Sequence, residues 1–199
     1  MMNFENMEPV SRCRWVTSDP IYIAYHDKEW GRPVHDDQRL FEQLVLEGAQ
    51  AGLSWLTILK RRHHYRRVFG DYNLTRLAAF SAADIDTAMR DKGIIRNRRK
   101  IESVVNNAAC YQRIQAEFGS FDAYLWAFVD GKPIRNQFID HADIPTQTVI
   151  SEALAKNLKQ RGFKFVGPVG MYALMQAVGM VNDHLVTCHC YGEEDVEAL

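Results

Sequence analysis

Two pairs of metal-ligand side chains stand at opposite ends of the chain. His184 and Cys188 are four residues apart, on one face if a helix continues there, and Cys13 with His26 offers the same two donor types near the start. Together they make a Cys2His2 set. Four protein ligands fill a zinc tetrahedron and leave no place for water, so such a site ties the ends together rather than catalysing. The spacing alone equally admits four ordinary core or surface residues. Neither His-Glu-x-x-His nor the His-x-Glu with Pro-Cys-x-x-Cys pattern occurs, which argues against a catalytic zinc. Cys110 sits in an apolar helical pattern and reads as core.

Glu47 is the second anomaly. Counted on from Leu40 and Leu44, it takes the next apolar position of a helical stripe, and a buried carboxylate is rare unless paired or functional. A place on the stripe's edge, or a pairing with an arginine, is the alternative that spacing leaves open. Tyr22, Tyr25, Trp30 and Trp55 supply flat aromatic surface, as core or as stacking platforms.

The elements that must position these groups read as helices nearly throughout. A stripe begins at Asp37 and breaks near Gly52; Ser54 caps a helix expected over 55–67. Ser81 and Asp84 form a capping box ahead of a helix that ends near Gly93, and Ile101, Val104, Val105 and Ala108 mark the next. Ser120 opens 121–129, Ser151 opens 152–161 with Gly162 to end it, and Pro168 starts a helix running to Met180. No alternating run has strand length, and no repeat or linker divides the chain. The expectation is one all-α domain over 11–191, with flexible tails at 1–10 and 192–199.

Composition bounds the partners. At 199 residues and 47% hydrophobic content the chain is no disordered polymer, and its net charge of -1 announces neither nucleic acid nor an acidic tail. Apolar stretches fall well short of the ~20 residues a membrane span needs, and the acidic start lacks an export signal, so a cytoplasmic protein with reduced cysteines is expected. The charge is uneven, however. The runs 60–67 and 96–100 contain no acidic residue, and with Lys159, Arg161 and Lys164 they suit either solvated helix faces or one basic surface for phosphates.

Several blocks in order then carry a closer likeness. Tyr22-Ile-Ala-Tyr25-His26-Asp27-Lys-Glu-Trp30-Gly31, Leu46-Glu47-Gly48-Ala-Gln-Ala-Gly52-Leu53-Ser54-Trp55, Gly93-Ile-Ile-Arg-Asn-Arg, Arg161-Gly-Phe-Lys-Phe-Val-Gly167 and Val181-Asn182-Asp183-His184 resemble the 3-methyladenine DNA glycosylase I family, from about Cys13 to Tyr191. Arg14 and Ala49 are departures from its pattern, and the extension before Cys13 has no counterpart in it. The resemblance implies a helix-hairpin-helix DNA glycosylase that removes 3-methyladenine from damaged double-stranded DNA as a monomer. It implies one structural Zn2+ held by Cys13, His26, His184 and Cys188. By the same likeness Glu47 and Tyr25 act on the flipped base, Trp55 and Tyr25 sandwich it, and Tyr22 lines its pocket. The hairpin position where lyase relatives carry a lysine is Val169, so the reaction is expected to stop at an abasic site. Asn182 stands where the wider superfamily has an aspartate. Lys164 and Gly167 of the hairpin, Arg96 and Arg98, and the wedge candidate Leu53 beside Gly52 are the expected DNA contacts. Two rivals remain at this stage: a zinc-stabilised DNA-binding module without activity, and an enzyme acting on a free purine.

Overall fold

The computed structural model describes residues 10–192. Helix α1 (Pro20–Lys28) starts on Asp19, whose carboxylate accepts from the Ile21 amide, with Pro20 at the first helical position where its missing N–H costs nothing. Helix α2 (Asp37–Gln50) is capped by Asp36 and buries Leu40, Phe41, Leu44, Val45 and Leu46. Helices α3 (Trp55–Leu59, capped by Ser54) and α4 (Arg62–Val68) replace the single helix expected over 55–67. Helix α3 bridges two cores, Ile58 entering the main one and Leu59 the cysteine-rich cluster near the termini, and after the break at Lys60–Arg61 Tyr65 enters the main core.

Short helices α5 (Leu74–Ala78) and α6 (Ala82–Ala88) follow, the latter opened by the expected Ser81–Asp84 capping box. The longest helix, α7 (Arg98–Phe118), packs against α2, α5, α6 and α8 (Phe121–Trp126). Helix α9 (Val149–Gln160) begins three residues before the place expected, because Thr148 caps it and Ser151 serves as the reciprocal partner of the capping box. Helix α10 (Pro168–Ala177) stops short of Met180, since the chain there leaves the helix to form β2 (Val181–Asn182), paired in parallel with β1 (Ile134–Arg135). That two-residue bridge is the strand content of the described residues. It escapes sequence reading because two residues show no periodicity.

Helix α2 lies between α7 and α10 in the main core. Each of its fully buried leucines or phenylalanines stabilises the fold by about 1.5–3 kcal/mol, enough together to carry one ill-solvated carboxyl on the same helix. The tails expected at 1–10 and 192–199 lie outside the described residues but for Val10 and Gly192. No described helix is long and apolar enough to cross a membrane.

Candidate active site

A cavity of about 200 Å³ is walled by Trp15, Tyr22, Tyr25, Trp30 and Trp55, with Glu47, Gln50, His141 and Gln176 as polar groups. Trp15 is its hub, 4.9 Å from Tyr22 and 5.0 Å from Trp30 between ring centroids. Tyr25 and Trp55 lie 5.4 Å apart at 53°. A planar group between two stacking faces would hold them about 7 Å apart, and at 5.4 Å these rings stand as adjoining walls of the cavity. Gln176 comes from α10, and its amide is oriented by buried Asp183, which accepts from Gln176 (2.8 Å), Tyr172 (2.7 Å) and Asn136 (2.7 Å).

Glu47 is 6% exposed, and neither alternative for it holds: it is not at a solvated edge and pairs with no arginine. Its Oε1 accepts from Gln43 (3.1 Å), while Oε2 has no protein partner among the described residues; Trp55 Nε1 is likewise buried and unpartnered. Burial pushes the Glu47 carboxyl up to about 8, against the opposing bond from Gln43. Burial, with Glu47 second, also raises the Tyr25 hydroxyl well above its ordinary range. A neutral carboxyl beside π faces, with one oxygen unspent, is a receptor for a planar group that brings its own positive charge.

The four sequence-predicted ligands do meet. Cys13, His26, His184 and Cys188 are all buried, with donor atoms within 4.8 Å of one another. Cys188 Sγ lies 3.5 Å from both His26 Nε2 and His184 Nδ1, and Cys13 Sγ lies 3.7 Å from the latter. Zn–S and Zn–N bonds of about 2.3 and 2.0–2.1 Å in a tetrahedron give S···N edges of about 3.5 Å, so the cluster has the dimensions of an ion's ligand shell. The far ring nitrogens are spoken for: His26 Nδ1 by Asp27 (2.7 Å) and His184 Nε2 by the Trp30 carbonyl (3.1 Å), which leaves the inward nitrogens as acceptors. Arg12 first and His26 after it hold the Asp27 carboxyl down to about 2. Cys188 is favoured as thiolate first by bonds from Cys13 and Cys190. No helix continues through His184–Cys188; α10 ends earlier, and the pair meets through a turn closed by the Cys188 amide on the Leu185 carbonyl. Asn182, in β2, accepts from the His184 amide and so supports this loop.

The expected DNA-facing groups divide. Gly52, at φ +79°, turns the chain after α2 and leaves Leu53 40% exposed. Lys100, expected at a basic surface, is instead buried. Its Nζ donates to the carbonyls of Ala49 (2.8 Å) and Ala51 (2.7 Å), closing the end of α2 and fixing the Leu53 bend. Arg98 pairs with Asp86 and Glu102, and Arg161 grips Glu117 through two bonds over the Phe118 ring. Four of the five cations in the run 60–67 are paired too, as Lys60–Asp19, Arg62–Glu29, Arg66–Glu42 and Arg67–Asp91, and Arg61 donates to the Thr57 carbonyl. Sequence showed no acid within the run, but the fold brings four from outside it. Arg96, Arg99, Lys159 and Lys164 have no acidic partner among the described residues. Gly167 caps α10 without a side chain, so the first amides of that helix stay open to an anion.

Sequence reading missed the clamp on the hairpin between α9 and α10. Buried Asn107 donates to the Lys164 carbonyl (3.0 Å) and accepts from its amide (2.8 Å), and Asn106 donates to the Gly162 carbonyl (2.9 Å). Asn at consecutive positions of an apolar helix was the available signal.

An aromatic cavity with an unspent carboxyl oxygen, a helix start without a side-chain cap and a buried cluster of Cys and His together mark this helical domain. The sequence profile of the methyladenine glycosylase family matches residues 15–191, and the chain belongs to that family. It is 48% identical over 180 residues to the DNA-3-methyladenine glycosylase of Haemophilus influenzae, covering 90% of this chain and 97% of that one. It is 47% identical over 182 residues to DNA-3-methyladenine glycosylase 1 of Escherichia coli, covering 92% and 97%. The solved 3-methyladenine DNA glycosylase I of Staphylococcus aureus, determined for its recognition of 3-methyladenine, matches with a TM-score of 0.89 at 40% identity over 92% of this chain and 98% of that one.

Proposed function

We propose that this chain is a monofunctional DNA-3-methyladenine glycosylase of the helix-hairpin-helix class, which excises the base in base excision repair and leaves an abasic site. Family membership together with the unpartnered Glu47 oxygen in an aromatic cavity carries this reading. N3-methylation makes the purine cationic, so its entry draws the proton from Glu47 and gains an ion pair in a water-poor site, whereas neutral adenine brings nothing to offset the cost of that ionisation. Extrusion costs least for a lesion already weak in pairing. In the hydrolysis, water bonds to C1′ and the C1′–N9 pair passes to N9, cancelling the base's charge; the water's second proton leaves to solvent. The base thus departs neutral without acid assistance. Glu47 and Tyr25 hold it through this step, and Trp55 with Tyr22 and Trp15 supplies the faces against which it lies. Val169, in the first turn of α10, has no amine, so no Schiff base forms.

The Cys13, His26, His184 and Cys188 cluster fits one zinc ion by donor chemistry and dimensions. Bound there, zinc cross-links the two ends of the domain and takes no part in the chemistry. Cys13 and Tyr25 share the small core with Leu185 and Cys188, so the clasp holds α1, and with it Tyr25, against the cavity. The protein works as a cytoplasmic monomer on duplex DNA, gripped by Arg96, Lys164 and the amides after Gly167 with Leu53 as wedge. Arg98 contributes less, its charge being offset.

Incubation with N-methylated duplex and chromatography of the released bases tests the proposal. Release of 3-methyladenine with intact strands is expected; duplex binding without release would leave the inactive binding module, and turnover of free purines alone would leave the small-molecule enzyme.

A further inference from the structure

A second cavity, of about 400 Å³, shares Glu47, Gln50 and Ala173 with the aromatic one and continues from it to the start of α10. Beyond Glu47 and Gln50 its lining is apolar, with Leu53, Phe165 and Val169 as its large side chains. Phe165 is an anomaly. Its φ of +57° lies in the left-handed region, which a bulky L residue rarely keeps. Three contacts hold it there. Phe163 and Val166 are buried on either side of it, and Asn107 pins Lys164 by both its amide and its carbonyl. With its neighbours anchored inward, the Phe165 ring is left 37% exposed, facing the groove. Gly48 is small where α2 passes beneath it: a Cβ there would lie 3.3 Å from Phe165 Cβ.

What occupies this groove follows from connectivity, given the glycosylase reading on which the inference rests. The base sits in the aromatic cavity and a phosphate sits on the open amides of α10, so the sugar joining them must lie between, against Leu53, Phe165 and Val169. We propose that the groove seats the deoxyribose of the extruded nucleotide, and that Phe165 is the positioning wall that admits a sugar lacking a 2′-hydroxyl. Carbon-rich deoxyribose buries there without loss. A ribose hydroxyl turned toward Phe165 and Val169 loses its water against side chains that offer no acceptor, the polar Glu47 and Gln50 being the residues shared with the base cavity.

The test uses the full chain and two duplexes that carry no damaged base: one with a tetrahydrofuran abasic analogue, the other with a 2′-hydroxyl on that same ring. Binding is measured by fluorescence anisotropy. Wild type is expected to bind the hydroxylated duplex at least fivefold more weakly, Phe165→Gly to bind the two within twofold, and Phe165→Leu to keep the wild-type ratio. Glycine accepts the backbone angle freely, so this variant keeps the fold, and its affinity for free 3-methyladenine is expected to stay at the wild-type value. Equal binding of the two duplexes by wild type would overturn the inference, as would undiminished discrimination in Phe165→Gly. Loss of free-base affinity in that variant would also overturn it, by placing Phe165 in support of the base cavity. Base release from methylated duplex is followed in parallel: release without sugar discrimination sinks this inference alone, whereas absent release sinks the glycosylase reading beneath it.

Discussion

Glu47→Gln separates the cost of the site from its use. In the folded chain the carboxyl titrates at about 8, raised by burial from an ordinary value of 4.5. Between those two values the folded state holds a proton that the unfolded chain has given up. The contribution is therefore whole below about pH 4.5, falls by about 1.4 kcal/mol for each pH unit above it, and is gone once pH passes the folded value. By pH 7 the carboxyl has removed about 3 kcal/mol of stability from the folded protein, and by pH 8 about 5. The amide of the variant has nothing to titrate. Urea unfolding of both proteins at pH 5, 6, 7, 8 and 9 is expected to give a difference that moves in the variant's favour by about 1.4 kcal/mol per unit up to pH 8 and then levels. Other titrating groups are common to both chains and cancel. The same substitution is expected to slow excision of 3-methyladenine and remove its rise with pH below 8, because an amide cannot give up a proton to meet the cation. A stability difference flat across the series would refute the reasoning: Glu47 would then be ionised in the empty cavity, and the cation would be met by a charge already present.

Other outcomes follow from the same geometry. Cys13→Ser and His184→Ala are expected to lose stoichiometric metal and to melt at least about 10 °C lower, given about 2–4 °C per kcal/mol in a domain of this size; full metal content with unchanged melting in both would remove the clasp. Lys100→Met, which strips the cation from the Ala49 and Ala51 carbonyls, is expected to cost about 2–3 kcal/mol of stability by leaving buried acceptors unpaired, checked by urea unfolding. Trp55→Ala is expected to weaken free 3-methyladenine by about 1–3 kcal/mol, read by calorimetry. Arg96→Ala and Lys164→Ala are each expected to make the salt dependence of duplex binding shallower by about 0.9 in log–log slope, while Arg161→Ala, whose charge is already met by Glu117, leaves that slope unchanged.

What was legible in the sequence depended on how local the determinant was. Ser54, Ser81 and Ser120 announce their helices because a cap is a three-residue event, and Glu47 announces itself because a carboxylate in an apolar stripe needs no knowledge of the partner element. The Cys and His ligands were readable as donor types, and the resemblance joined them across 171 residues; their tautomers were not, since Asp27 and the Trp30 carbonyl fix those from outside the motif. Charge was left open between two readings for the same reason. A run of cations says nothing about Asp19, Glu29, Glu42 and Asp91 arriving from other helices, nor that Lys100 turns inward to finish α2. The relative tilt of Tyr25 and Trp55 is a property of packing between α1 and α3, and no spacing encodes it.

Local rules fail where the proposed chemistry of this molecule lies, and also at Tyr72 in the main core, whose buried hydroxyl has no partner among the described residues and whose φ is +59°. Glu47 holds a proton at the expense of stability, Trp55 Nε1 and Glu47 Oε2 are buried without partners, and Phe165 keeps a left-handed backbone. Each is surrounded by a polar group that is fully engaged: Lys100 across the end of α2, Asn107 across the hairpin, Asp183 behind Gln176, and Asp27 behind His26. A soft surround would let the strained groups relax, with Glu47 swinging to water and Phe165 folding onto the hairpin, and the cavity would lose its bias toward a cation. On the proposed function, the satisfied networks are therefore as much a part of base selection as the cavity walls. Breaking one of them is expected to raise the exposure of the strained group it restrains before it unfolds the domain.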